Sequence, residues 1–284
     1  MEQIAHEPAW TFVDVDGCRV RYRASGDGQP IILLHGLGRS LEDWEPLRHK
    51  LSTHRLVAVD LAGFGWSDPL PESNLAALAS HVVRTMDACG IASAAHIVGN
   101  SLGGAVGMQL AVLAPQRVAS LTLVGSAGFG REVTWALRLL DLPLLWRLLL
   151  RPNEHTARAT ERSLYHDPRF ASPERIRLAL QISRRPGSAR TLHQLAGKLG
   201  SIAGVHPGWR ARLLTSTAAL EIPTLVLWGA NDKILPATHL INAMAAFPHA
   251  HTHLFPDTGH LPQIERVGQF AALLEAFWRG LLPP

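Results

Sequence analysis

Five stretches of this chain are apolar almost without interruption: PIILLHG from residue 30, RLVAVD from 55, AHIVG from 95, VASLTLVGS from 118 and PTLVLWG from 223. A strand with one wet face alternates apolar and polar residues, so continuous runs of this kind belong to strands covered on both faces. Helical patterns lie between them: EDWEPLRHKL from 42, residues 74 to 90 with Gly90 just past the end, and Leu102 to Leu113 ahead of Pro115. A sixth strand, HTHLFP from 251, is flanked by helices at about 237 to 247 and 263 to 279. Near the start, TFVDV and CRVRYRA flank Asp16-Gly17, a hairpin signal. Strand and helix alternating over 284 residues imply an α/β protein: a mostly parallel sheet with helices on both faces.

The alternation stops between roughly Ala127 and Leu220, a Leu- and Arg-rich stretch with helical patterning and no convincing strand. The expected organisation is therefore a core of residues 1–126 and 221–284 with a helical cap at 127–220. Composition narrows the function classes. Lys and Arg exceed Asp and Glu by only 27 to 23, and no basic run is long enough for a nucleic-acid surface. Two cysteines, Cys18 and Cys89, make neither a disulfide framework nor a Cys-based zinc site. MEQIAHEPAW has no basic segment leading into an apolar one, as a secretory leader would. The greasiest segment, LRLLDLPLLWRLLL from 137, is broken by Arg138, Asp141, Pro143 and Arg147, too short and charged to span a bilayer. The expectation is a cytoplasmic protein, monomer or homodimer, acting on a small molecule.

Between the third run and its helix stands Gly99-Asn100-Ser101-Leu102-Gly103, a G-x-S-x-G match in strand–turn–helix context. Such a turn lifts a serine Oγ clear of the sheet, and glycines are needed where strand and helix backbones nearly touch. A serine nucleophile needs a histidine base oriented by a carboxylate. Asp232 follows the fifth run and His260 follows the sixth, in the chain order Ser, acid, His. Asp257, three residues before His260, is the rival acid, though a neighbour that close is better suited to shaping the turn. The second oxyanion donor should come from the loop His35-Gly36-Leu37-Gly38, giving the backbone N–H groups of Leu37 and Leu102 as the pair. His35 itself reads as a loop-stabilising hydrogen-bonding group. His249, His251 and His253 alternate on one strand without a carboxylate or Cys cluster, and read as a solvated face with no metal.

Five motifs in this order resemble the α/β-hydrolase superfamily: H-G-L-G at 35–38, DLAGFGWSD at 60–68, G-N-S-L-G-G at 99–104, GANDKILP at 229–236 and GHLPQIE at 259–265. The resemblance implies an eight-stranded sheet with one antiparallel strand, a helical cap, no cofactor and Asp60 as a turn-closing residue. Within it, VGNSLGG is similar to the elbow of carboxylesterases and of meta-cleavage-product hydrolases, which break C–C bonds in ring-fission products. ISRRPGSARTL resembles the latter's substrate-binding Arg segment, here Arg184 or Arg185, whereas H-G-L-G-R-S and Leu261 after the histidine depart from their pattern. The reading is a serine hydrolase of apolar or medium-chain carboxylic esters, with C–C hydrolysis of a ketone substrate as the alternative. The expected substrate contacts are Gly36, Asn100, Trp135, Trp146, Arg184, Arg185 and Leu261.

Overall fold

The structure, a computed structural model, describes residues 11–142 and 145–282. The N-terminal decapeptide, Pro143 and Leu144 lie outside the described residues. One eight-stranded sheet has the order β1-β2-β4-β3-β5-β6-β9-β10. β1 (Thr11–Val15) and β2 (Cys18–Ser25) pair through a two-residue turn in which Asp16 (φ 54°) and Gly17 (φ 78°) are both left-handed. That conformation matches the right-handed twist of a tight hairpin. β2 is antiparallel to both neighbours, while β4 (Arg55–Val59), β3 (Pro30–Leu34), β5 (Ala95–Asn100), β6 (Val118–Val124), β9 (Thr224–Gly229) and β10 (His251–Phe255) run parallel. The chain winds outward from β3 to β4 on one side and to β5 on the other. The crevice for a ligand therefore opens above the C-terminal ends of β3 and β5.

Strand side chains divide between two cores by pleat. Ile32, Leu34, Val57, Val59 and Ile97 pack beneath α1 (Leu75–Ala88) and α2 (Leu102–Leu113). Ile31, Leu33, Val98, Leu225 and Leu227 pack on the opposite face with Trp44, Phe270 and Leu274. Burial on both faces is why these runs carry no polar alternation. EDWEPLRHKL forms a 3₁₀ helix, Leu41–Leu47, where an α-helix was expected. Pro46, which cannot donate to an i−4 carbonyl, accounts for the difference. Burial pushes the Cys18 and Cys89 thiols up to about 11, so both are inert.

Between β6 and β9 the insertion contributes α3 (Trp135–Arg138), α4 (Leu145–Leu149), α5 (Glu154–Leu164), α6 (Pro173–Ser183), α7 (Ser188–Leu199) and α8 (Pro207–Ala218). It also contains a strand pair the sequence reading lacked, β7 (Gly200–Ser201) and β8 (Gly204–Val205); Gly204, at φ +105°, makes the reversal. The helices α9 (His239–Ala246), α10 (Pro262–Glu265) and α11 (Val267–Trp278) complete the layers. Among the described residues no helix is long and apolar enough to cross a membrane.

Asp60, at the end of β4, closes the turn below the crevice. Its oxygens accept from the backbone N–H of Leu41 (2.8 Å) and Trp66 (2.7 Å), and from Arg21 Nε at 2.5 Å. Arg21 also makes two 2.8 Å bonds to Glu42. Both Arg21 and Asp60 are 1% exposed. Removing Asp60 takes a buried acceptor from Arg21 Nε and from the N–H groups of Leu41 and Trp66, while Glu42 still pairs with Arg21. Asp60→Ala should lower stability by about 3–5 kcal/mol, seen as an earlier urea midpoint; an unchanged midpoint would refute the role.

Candidate active site

Ser101 stands between β5 and α2 at φ 55°, ψ −115°, a region that costs a non-glycine residue about 1–3 kcal/mol. Four backbone bonds hold it there: Ser101 N–H to Val124 O (2.9 Å), and the N–H groups of Gly104 (3.1 Å), Ala105 (3.4 Å) and Ala127 (3.0 Å) to Ser101 O. A Cβ at Gly99 would strike the Gly103 backbone, and one at Gly103 would strike the Leu34 carbonyl. Helix α2 thus lies directly on the strand ends, which only glycine at both positions allows.

Asp232 sits three residues beyond β9. One carboxylate oxygen accepts from the N–H groups of Ile234 (2.8 Å) and Leu235 (2.9 Å); the other accepts from His260 Nδ1 at 2.6 Å. Both side chains are almost fully buried, and the bond leaves His260 Nε2 as the basic nitrogen. Gly125, at φ +46°, backs the pair; a Cβ there would lie 3.2 Å from Asp232 Oδ2 and 3.3 Å from His260 Nδ1. Among the described residues Ser101 Oγ makes no hydrogen bond to His260. The rival Asp257 is exposed, at φ 45° in the turn, and its nearest imidazole is His166 at 4.0 Å.

The loop after β3 completes the arrangement. A Cβ at Gly36 would lie 3.3 Å from Ser101 Cβ, so the loop passes over the serine. The side chains of Leu37 and Leu102 line the same cleft as Ser101. Leu102 opens α2, where a helix leaves its first N–H groups without intrahelical acceptors. His35 is fully buried; its Nδ1 bonds the Gly36 carbonyl (2.8 Å) and its Nε2 accepts from Leu61 N–H (3.0 Å). Burial pushes its pKa down against the pull of Asp60, so it is a neutral brace between two loops.

Comparison with known proteins gives the family of the fold. Residues 29–267 match the model of the alpha/beta hydrolase fold. The chain belongs to that family. This α/β hydrolase is 38% identical to a dihydrolipoyllysine-residue acetyltransferase component of an acetoin cleaving system from Cupriavidus necator, over 96% of this chain and 70% of that one. It is 30% identical to a 2-hydroxymuconate semialdehyde hydrolase from a Pseudomonas strain, over 92% and 90%. Among solved structures, a meta-cleavage product hydrolase from Pseudomonas fluorescens matches with TM-score 0.81 and 26% identity, over 96% and 98%.

The cleft of this hydrolase is a cavity of about 80 Å³. Its walls are apolar, drawn from Leu37 and Leu102 of the core, Ile234 and Leu235 after Asp232, and Val133, Leu137, Leu199 and Trp209 of the insertion. Arg138 is the one charged lining residue among those described. Its Nε donates to the Val133 carbonyl (2.9 Å) and its guanidinium lies 4.7 Å over the Trp135 ring.

Most of the expected substrate contacts lie elsewhere. Trp135 is 64% exposed and serves as the platform for Arg138. Trp146 stacks on His193, ring centroids 4.3 Å apart. Arg184 is exposed, and Arg185 donates to the carbonyls of Gly65 and Ser67, tying the insertion to the core. Leu261 is fully buried in a cluster with Leu164, Tyr165 and Ile264. Asn100 is buried; its amide nitrogen donates to Val124 O (3.0 Å) and His260 O (3.1 Å), bracing the histidine loop, and its amide oxygen faces Gly36. Gly36 acts by what it lacks, room for the serine. Ile234 and Leu235 carried a signal in their position just after Asp232, and Leu137 in its place in the greasy segment of the insertion. Gly125→Ala should slow covalent labelling of Ser101 by a fluorophosphonate at least tenfold, with an unchanged far-UV circular dichroism spectrum. Labelling at the wild-type rate would show that the pair tolerates displacement.

Proposed function

We propose that the protein hydrolyses carboxylic esters through an acyl-enzyme. Ser101 Oγ attacks the acyl carbon while His260 Nε2 takes its proton, and Asp232 holds the imidazole in that tautomer and stabilises its protonated form. The amides of Leu37 and Leu102 receive the negative charge that develops on the carbonyl oxygen. His260 returns the proton to the departing alcohol, and water, activated by the same imidazole, releases the acid. The observation that carries this reading is the buried His260–Asp232 bond of 2.6 Å beside an elbow serine. The acetyl-transferring name of the Cupriavidus relative also favours acyl-group chemistry.

Ser101→Ala should lower kcat on p-nitrophenyl butyrate by roughly three orders of magnitude or more; wild-type turnover by this variant would exclude the mechanism. An apolar cavity of about 80 Å³ accepts only a short acyl chain. kcat/KM is therefore expected to rise from acetyl to butyryl esters, by up to ~0.8 kcal/mol per buried CH₂, then level off. Leu137→Ala should move that plateau, whereas Trp135→Ala and Trp146→Ala should not. A profile that responds to the tryptophans instead would return them to the cleft.

A second reading is C–C hydrolysis, as named for the semialdehyde hydrolase and the meta-cleavage product hydrolase. Arg138 is the specific observation in its favour. A dienol carboxylate needs a cation, and among the expected arginines neither Arg184 nor Arg185 reaches the cleft. Under this reading a ring-fission product loses its yellow absorbance faster than any ester turns over, and Arg138→Gln raises KM for it at least tenfold while esters are unaffected. Loss on esters alone would leave the ester reading standing.

A further inference from the structure

Residues 161–167 of the insertion touch both loops that carry the candidate chemistry. On one side lies the loop of Leu37. Arg39 N–H donates to Gly36 O at 3.2 Å, closing a turn in which Gly38 takes φ +71°. That turn orients the peptide groups around Leu37, and the Arg39 side chain secures its end. Nε and Nη2 bind both oxygens of Asp43 (2.9 and 2.7 Å), and Nη1 reaches the carboxylate of Glu161 on α5. Glu161 is fully buried, and its other oxygen takes the Tyr165 hydroxyl at 3.5 Å. Arg175 of α6 adds a second cation, from the insertion, to Asp43 at 3.4 Å. Burial raises the cost of ionising Asp43, but the two arginines outweigh it and hold its carboxyl below the usual range.

On the other side lies the histidine loop. His260 N–H donates to Leu164 O at 2.7 Å. The Glu265 carboxylate accepts from Gly259 N–H (2.6 Å) on one oxygen, and from His166 (3.0 Å) and Asp167 (3.1 Å) N–H on the other. A Cβ at Gly259 would strike the Leu164–His166 backbone, so the two segments are in direct contact.

We propose that this segment is a fixed strut which sets the oxyanion loop against the histidine loop, with Glu161, acting through Arg39, as a positioning residue. The inference rests on the reading that the Leu37 and Leu102 amides receive the oxyanion. Neither Glu161 nor Arg39 lines the cleft, so neither contributes to ground-state binding. Their removal should act on the transition state and leave substrate affinity alone. The insertion's share of the cleft wall comes from residues 133–138 and 196–209, on either side of the strut in sequence.

The test compares Glu161→Gln and Arg39→Lys with the wild type. Three quantities are read: kcat and KM on p-nitrophenyl butyrate, the rate of fluorophosphonate labelling of Ser101, and inhibition by a trifluoromethyl ketone against its unfluorinated methyl ketone. Ser101 Oγ adds to the carbonyl of the fluorinated compound, its proton passing to His260, and gives a hemiketal oxyanion, while the methyl ketone measures binding to the cleft. The expected result is a tenfold or greater fall in kcat, labelling rate and trifluoromethyl ketone affinity together, with KM and methyl ketone affinity within twofold. A lower melting temperature with all three quantities at wild-type values would make the clasp merely structural and overturn the proposal. Should Glu161→Gln fail to fold, Arg39→Lys, which keeps the charge and loses the fork, carries the test. A wild-type protein that neither hydrolyses esters nor labels at Ser101 would refute the underlying reading itself, an outcome distinct from failure of the strut.

Discussion

The close approach of the α2 backbone to the ends of β3 and β5 is the constraint on which the rest depends. With no side chain at Gly99 or Gly103, the helix starts directly on the Leu34 carbonyl and throws Ser101 into a positive φ. The same approach brings the start of α2 beside the loop that leaves β3, so the serine and the amides proposed as oxyanion donors share one origin. Any side chain at Gly103 would push the helix off the sheet and separate them. The strain at Ser101 is held by four backbone bonds, to β6, to the first turn of α2 and to the turn after β6.

Around this point the protein invests polar groups where an apolar core would serve stability as well. His35, Asp60, Arg21, Asp43, Glu161 and Glu265 are all buried or nearly so, and each holds a loop at the C-terminal edge of the sheet. Burial pushes the Glu265 carboxyl up even though three backbone N–H groups favour its charge. Such networks are worth little as net stabilisation, since desolvation offsets most of the attraction. What they supply is direction: Asp60 fixes the backbone N–H groups of Leu41 and Trp66, and Glu265 those of Gly259, His166 and Asp167, a task no leucine performs.

The parallel sheet and the elbow were legible because both depend on backbone packing, which leaves a mark at fixed spacing. Continuous apolar runs mark strands covered twice, and glycines at 99 and 103 mark a contact no side chain survives. The positions of Asp232 and His260 followed from the chain order of the strands that carry them. The cleft walls were not legible. Trp135 and Trp146 look like anchors in a greasy segment, yet one supports Arg138 from outside and the other stacks on His193. Short insertion helices have no long period to read, and which of their faces meets the serine is decided by contacts across more than sixty residues of chain. Arg185 shows the same limit: its carbonyl partners at Gly65 and Ser67 are unrelated to it in sequence.

The strand order has a consequence in time. The elbow and the oxyanion loop arise from β3 and β5, made in the first half of the chain, whereas Asp232 and His260 follow β9 and β10, which add the last two strands at one edge of the sheet. During synthesis the nucleophile turn exists well before its base. Asp232 and His260 are only 28 residues apart in sequence, but the register of β9 on β6 must form before either can meet Ser101. The non-local pairing that closes the sheet is the slow kind. On the proposed mechanism, a nascent chain that has made its Ser101 turn therefore lacks its base until that edge has docked.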